Sequence, residues 1–274
     1  MRTIPARGAE IPVLGLGTWQ LSGREAREVV AEGLRLGYTH VDTARMYGNE
    51  AEVGDGIRAS GIDHDRVFLT TKIWPDDFRG EDLRRAAEDS LRTLGLDRVD
   101  LLLLHWPAPD VPLAETMDAL SGVVEDGLAR FAGVSNFTIR LIEEAEAAAR
   151  VPLVCNQVEF HPFLDQRKLQ GWLAERDMAL VAYAPLGKGQ AAGNDVLGRI
   201  GESHGASAAQ VALAWELSHP NVAAIPKSAN PGRLAENLRT LEIRLTDEEK
   251  AEIAALRSPE GRMIEVEGYA PDWD

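Results

Sequence analysis

The stretch "VDLLLLH", Val99–His105, is apolar at five of its seven positions and ends in an imidazole. Its four consecutive leucines do not alternate with polar residues, as a half-buried strand would. Strands buried on both faces read this way, and they belong to parallel sheets covered by helices. The segment before it fits that reading. "GEDLRRAAEDSLRTLG", Gly80–Gly95, places Leu83, Ala86, Ala87, Leu91 and Leu94 on one helical stripe and stops at a glycine suited to a C-cap.

The same alternation runs through the chain. With "VDLLLLH" there are eight short β-type runs; the others are "VLGLGT" from Val13, "YTHVDT" from Tyr38, "RVFLTTK" from Arg66, "RFAGVS" from Arg130, "LVCNQV" from Leu153, "MALVAYA" from Met178 and "NVAAIPK" from Asn221. Helical patterns lie between them. "SGREAREVVAEGLRLG" opens with Ser22 and Glu25, a capping-box pair, and sets Ala26, Val29, Val30, Gly33 and Leu34 on one face. "SAAQVALAWELSH" and "TDEEKAEIAAL" open in the same way, Ser207 with Gln210 and Thr246 with Glu249. Eight strand–helix units predict an α/β fold, a closed (β/α)8 TIM barrel. No Pro/Gly/Ser-rich linker divides residues 1–274, so one domain is expected. "MRTIPARGAEIP" reads as an N-terminal β-hairpin over the barrel floor. "GKGQAAGN", Gly187–Asn194, reads as a flexible loop, and the tail "MIEVEGYAPDWD" as irregular chain packed over an opening.

Composition narrows the function. Hydrophobic residues make up 45% of the 274, ample for a core, and no run reaches the length of a membrane span. The first fifteen residues lack the apolar stretch of a signal peptide. Cys155 is the only cysteine, which excludes an internal disulfide and a cysteine metal cluster. These features predict a cytoplasmic protein. A net charge of −15 argues against nucleic acid and anionic membranes as partners.

In such barrels the active-site face lies at the C-terminal ends of the strands. The runs end there in Asp42, Lys72, His105, Ser135 with Asn136, Gln157, Tyr183 and Lys227. Buried strands have no need of so many proton donors and acceptors. Tyr47 follows Asp42 by a short loop, long enough to hang over the barrel mouth. Lys72, from the next strand, can sit between them. Its ammonium would favour the phenolate, lower the Tyr47 pKa and make the phenol a better acid. Asp42 would hold the lysine, and His105 would orient a substrate oxygen. Such a set can protonate a carbonyl oxygen while a hydride arrives from elsewhere. From spacing alone, Asp42 and Lys72 are equally a buried structural ion pair, and a lone His105 after an apolar run reads as a core histidine.

The stretches "GLGTWQ", "HVDTARMYGNE", "FLTTKIW", "VDLLLLHWP", "GVSNF", "NQVEFHP", "AYAPLG" and "IPKSANPGRLAEN", in this order, resemble the aldo-keto reductases over nearly the whole chain. The resemblance is strongest to bacterial 2,5-diketo-D-gluconate and methylglyoxal reductases. It implies reduction of a small carbonyl substrate by NADPH held without a Rossmann domain, a monomer, and a catalytic tetrad of Asp42, Tyr47, Lys72 and His105. It also implies a set of cofactor contacts. Gly17, Thr18, Trp19 and Asp42 would lie along the cofactor. Ser135, Asn136 and Gln157 would hold the nicotinamide carboxamide, with Tyr183 stacked on the ring. Leu186 and Gly187 would follow the pyrophosphate. Lys227, Ser228 and Arg233 would meet the 2′-phosphate, and Glu236 and Asn237 the adenine. Trp19, Trp74 and Trp106 would wall the substrate pocket with Tyr47 and His105.

Other chemistries are weaker. "GLGTWQ" has Gln20 where a dinucleotide fingerprint needs its third glycine. None of the six histidines forms H-x-H or H-E-x-x-H, so no metal is expected. Phe137 breaks the G-x-S-x-G pattern around Ser135. The competing class is a regulatory subunit that binds NADPH and turns over little.

Overall fold

The computed structural model describes residues 1–274. Strands β1 (Thr3–Ala6) and β2 (Ala9–Pro12) form an antiparallel hairpin. Eight parallel strands follow: β3 (Leu16–Gly17), β4 (His40–Asp42), β5 (Phe68–Ile73), β6 (Val99–Leu104), β7 (Ala129–Ser135), β8 (Leu153–Glu159), β9 (Ala179–Tyr183) and β10 (Val222–Ala224). They lie side by side in chain order. The ring closes where Leu14 bridges Ala224 in parallel. There the Gly15 amide donates to the Ala224 carbonyl at 2.8 Å, and that of Gly17 to Pro226 at 3.1 Å. All eight expected strands are present, and the fold is the (β/α)8 barrel.

The helices are α1 (Gly23–Leu36), α2 (Glu50–Ser60), α3 (Gly80–Leu94), α4 (Leu113–Glu125), α5 (Ile139–Ala148), α6 (Arg167–Ala174), α7 (Asp195–His204), α8 (Ala208–Glu216), α9 (Pro231–Arg239) and α10 (Asp247–Ala254). The apolar stripes read from sequence are the buried ones: Ala26, Val29, Val30, Gly33 and Leu34 on α1, and Leu83, Ala86, Ala87, Leu91 and Leu94 on α3. Gly95 caps α3 in the left-handed region at φ 70°. The boxes at Ser207 and Thr246 form both of their hydrogen bonds. The box at Ser22 does not; Ser22 stands at the N-cap of α1 and its hydroxyl accepts no helix amide.

The hairpin seals the floor. Arg7, at its turn, donates to the carbonyls of Arg176 at 2.9 Å and Leu153 at 3.1 Å, both at the N-terminal side of barrel strands, and pairs with Glu146. At the opposite end, residues 187–193 depart from the flexible loop expected. They form 3-10 turns kinked at Lys188 (φ 51°) and Gly189 (φ 97°), with Ala191 buried, and run into the Asn194 cap of α7. The tail after Gly261 crosses this same end. Its Tyr269 ring meets Trp74 at 5.4 Å, and its Trp273 ring meets Trp106 at 6.3 Å.

Candidate active site

Parallel pairing puts the functional side chains on one rim. Asp42 ends β4 and Lys72 is the penultimate residue of β5; His105 directly follows β6. Ser135 ends β7, in register with Gln157 of β8. Tyr47 closes a short 3-10 turn, Arg45–Tyr47, that hangs between β4 and α2.

Asn49 holds that turn in place. Its amide donates to the carbonyls of Thr18 and Leu21, both at 2.9 Å, and its oxygen accepts the Thr43 hydroxyl at 2.9 Å. Glu50, buried at the start of α2, accepts the Thr71 hydroxyl at 2.6 Å and so ties the helix to β5 beside Lys72. Burial raises the Glu50 carboxyl pKa. Both residues sit in the quoted "HVDTARMYGNE", yet their partners are scattered along the chain, so spacing did not single them out.

Lys72 is fully buried. Its ammonium lies 2.5 Å from Asp42 Oδ1, 2.9 Å from the Thr43 carbonyl and 3.3 Å from the Tyr47 hydroxyl. Burial pulls the lysine pKa down, but the Asp42 charge, Tyr47 and their hydrogen bonds together hold it above its ordinary value. Tyr47 departs from expectation. Burial of the phenol raises its pKa by more than the Lys72 charge lowers it, so the group is held protonated above the usual tyrosine range. His105 is pushed well below the usual histidine range, by burial first and by the Lys72 charge second. Its ring is neutral near pH 7, and Nδ1 has no hydrogen-bond partner. The ring packs edge-on against Tyr47 and Trp74, at 5.7 and 5.2 Å. His40 is a core histidine, fully buried with Nε2 at 3.1 Å from Thr70 Oγ1 and a pKa pushed down to about 4 by burial.

The residues assigned to a nicotinamide are bonded to one another. Gln157 donates to Asp42 Oδ2 at 2.7 Å. Ser135 donates to the Gln157 carbonyl at 2.8 Å. Asn136, in the left-handed region at φ 63°, donates to the His105 carbonyl at 3.0 Å and accepts the Tyr183 hydroxyl at 2.7 Å. Thr18 donates its hydroxyl to the Asp42 carbonyl at 3.0 Å. Gly17 sits at the barrel seam, and Leu186 and Gly187 open the kinked 3-10 segment.

The residues expected at the 2′-phosphate gather at the start of α9. Lys227 and Arg233 are exposed, and neither is paired with a carboxylate. Ser228 accepts the Asn230 amide, and Asn230 caps the amides of Gly232 and Arg233. Glu236 is exposed, whereas Asn237 is buried. Among the tryptophans, Trp19 is exposed at the rim, its ring 4.8 Å from Tyr47. Trp74 is half-buried. Trp106 is buried and lies against Trp273 of the tail rather than at an open wall.

A buried carboxylate and ammonium joined to a half-buried phenol, with a neutral imidazole beside them, can deliver a proton and stabilise the anion it leaves. The model of the Aldo/keto reductase family matches residues 13–258. Methylglyoxal reductase DkgB of Escherichia coli O157:H7 is 39% identical over 96% of this chain and 99% of its own. Glyoxal reductase of Bacillus subtilis is 41% identical over 92% of this chain and 91% of its own. A crystal structure provisionally named 2,5-diketo-D-gluconic acid reductase B superposes with a TM-score of 0.98, at 44% identity, over 100% of this chain and 98% of its own.

Proposed function

Since this chain belongs to the aldo/keto reductase family, and is an oxidoreductase acting on carbonyls, we propose that it reduces small polar aldehydes and ketones to alcohols with NADPH, in the cytoplasm and as a monomer. The observation that carries the proposal is the run of contacts from buried Asp42 through buried Lys72 to half-buried Tyr47, at 2.5 and 3.3 Å, on the rim of the barrel. The relatives' names, methylglyoxal and glyoxal reductase, favour small substrates of that class.

The residues present suit NADPH. In a chain with 44 acidic residues, two exposed cations without carboxylate partners stand at one helix N-terminus, where an anion is favoured. Lys227, Ser228 and Arg233 would hold the 2′-phosphate. Ser135, Asn136, Gln157 and Tyr183 would hold the nicotinamide, which supplies the hydride when bound. Gln157 and Asn136 would then share their amides between the cofactor and the bonds they already make.

The chain's own part is the proton. Tyr47 gives its hydroxyl proton to the carbonyl oxygen as the carbon is reduced. The phenolate left behind faces the Lys72 ammonium, which Asp42 keeps charged and in place. Neutral His105 donates one N–H to the carbonyl oxygen and turns the carbonyl carbon toward the nicotinamide. A charged imidazole would compete with Tyr47 as the acid, so the depressed His105 pKa supports this division of roles.

The test is oxidation of NADPH, followed by absorbance, with methylglyoxal, 2,5-diketo-D-gluconate, a nitrobenzaldehyde and glyceraldehyde, and NADH in parallel. Turnover with NADPH on at least one carbonyl is expected. Tight NADPH binding without turnover on any of them would instead favour a regulatory, cofactor-sensing role.

A further inference from the structure

Glu159 is the last residue of β8, fully buried, and has no part in the proton chemistry above. Both of its oxygens are taken by the tail. Oε1 accepts the Met263 amide at 2.9 Å and Oε2 the Ile264 amide at 3.0 Å. His161 Nδ1 accepts the Phe163 amide at 3.3 Å, which leaves Nε2–H to donate to Glu159 Oε1 at 3.0 Å. Arg262 approaches Oε2 at 4.0 Å and lays its guanidinium over the Trp273 ring, 3.4 Å from its centre.

The tail is held closely on either side of this carboxylate. Gly261 passes so near the Phe163 carbonyl that a Cβ there would sit 1.9 Å from its oxygen. Lys188, at the kink of the 3-10 segment, donates to the Met263 carbonyl at 3.0 Å. Beyond this point the tail carries Tyr269, whose hydroxyl donates to Asp76 at 2.8 Å and whose ring packs on Trp74. Trp74 in turn packs on His105. The chain ends with Asp274 accepting the Ile139 amide at 2.8 Å.

We propose that Glu159 is a positioning residue that fastens the C-terminal tail across the barrel mouth, and that through Tyr269 and Trp74 it sets the wall against which the carbonyl substrate binds. The inference rests on the function proposed above for the rate measurements only. Two consecutive amides on one buried carboxylate orient the tail as well as attach it, because each bond restricts the other's geometry. Remote groups of this kind act on substrate binding when they place a wall, and on turnover only when they move the reacting atoms.

The test is Glu159→Gln, which keeps the size but puts an amide nitrogen where one tail N–H must be accepted. KM for the carbonyl should rise by about five- to tenfold while kcat and NADPH affinity stay within about twofold. Trimming of the tail by a carboxypeptidase, followed by mass spectrometry without substrate or cofactor, should quicken. In a Tyr269→Ala background the same substitution should raise KM far less, because the wall it positions is already gone. A fall in kcat with KM unchanged would mark a merely structural role and overturn the proposal. So would additive KM effects in the double variant, or unchanged trimming. No turnover by the unaltered chain would defeat the reductase proposal, and the trimming rate would still decide whether Glu159 fastens the tail.

Discussion

Tyr47 shows two forces of opposite sign on one hydroxyl. The Lys72 charge, 3.3 Å away, favours the phenolate, and loss of water around the ring disfavours it more. The phenol therefore keeps its proton at neutral pH, and in the proposed reaction the ammonium would act when the proton leaves. Tyr47→Phe should lower kcat by about 10²–10⁴-fold, the usual worth of a general acid, with NADPH affinity little changed in a fluorescence titration. The signs of the shifts also fix a pH profile. A raised Tyr47 value means this hydroxyl keeps its proton through the alkaline range in which an ordinary phenol begins to lose it. A depressed His105 value means the imidazole stays neutral until well into acid. The kcat/KM for reduction should thus be flat from about pH 6 to 9. A limb centred near 7 would remove either Tyr47 as the acid or His105 as the neutral donor.

Among the elements, α9 and α8 make contrasting demands. The start of α9 offers Lys227 and Arg233 with no carboxylate to neutralise them. Lys227→Ala combined with Arg233→Ala should weaken NADPH by about 10²-fold or more, as two charge-assisted contacts are lost, and NADH only slightly. Equal losses in dissociation constants for the two cofactors would refute the phosphate role. Helix α8 ends in Glu216, fully buried, with neither carboxyl oxygen hydrogen-bonded. Burial drives its pKa well up, so the folded protein keeps it protonated while the unfolded chain ionises it above about pH 4.3. Its burial is least costly below that pH and costs more as pH rises toward the folded value. Glu216→Leu should raise the Tm at pH 8, by about 2–4 °C per kcal/mol recovered, and by less at pH 5. Thermal melts at the two pH values would expose a uniform or absent gain. Helix α1 adds a caution on caps. Ser22 and Glu25 have the right spacing, yet the Ser22 hydroxyl accepts no amide, so the spacing by itself does not make the box.

The whole molecule depends on closing a ring whose first and last strands are only two and three residues long. Backbone contact across that seam leaves no room for a side chain at position 17. A Cβ on Gly17 would stand 2.7 Å from the Ile225 carbonyl oxygen. Gly17→Ala should cost roughly 1–3 kcal/mol, as overpacked sites do, and should lower turnover because Thr18 and Asp42 are bonded across the same rim. Unchanged melting and turnover would mean the seam can spread. The sequence by itself determined the barrel, because each buried strand needs a continuous apolar run and each covering helix a stripe, and both are local patterns. It also placed Asp42, Lys72 and His105 at strand ends, since parallel strands all end on one rim. Only the tertiary structure decided the sign of the Tyr47 shift, which depends on the water excluded around the ring. It alone tied Glu159 to amides more than a hundred residues away, and folded Gly187–Gly193 into turns against the tail. A buried carboxylate inside an apolar strand signals that a partner exists, but its partner is chosen by packing, which no spacing along the chain records.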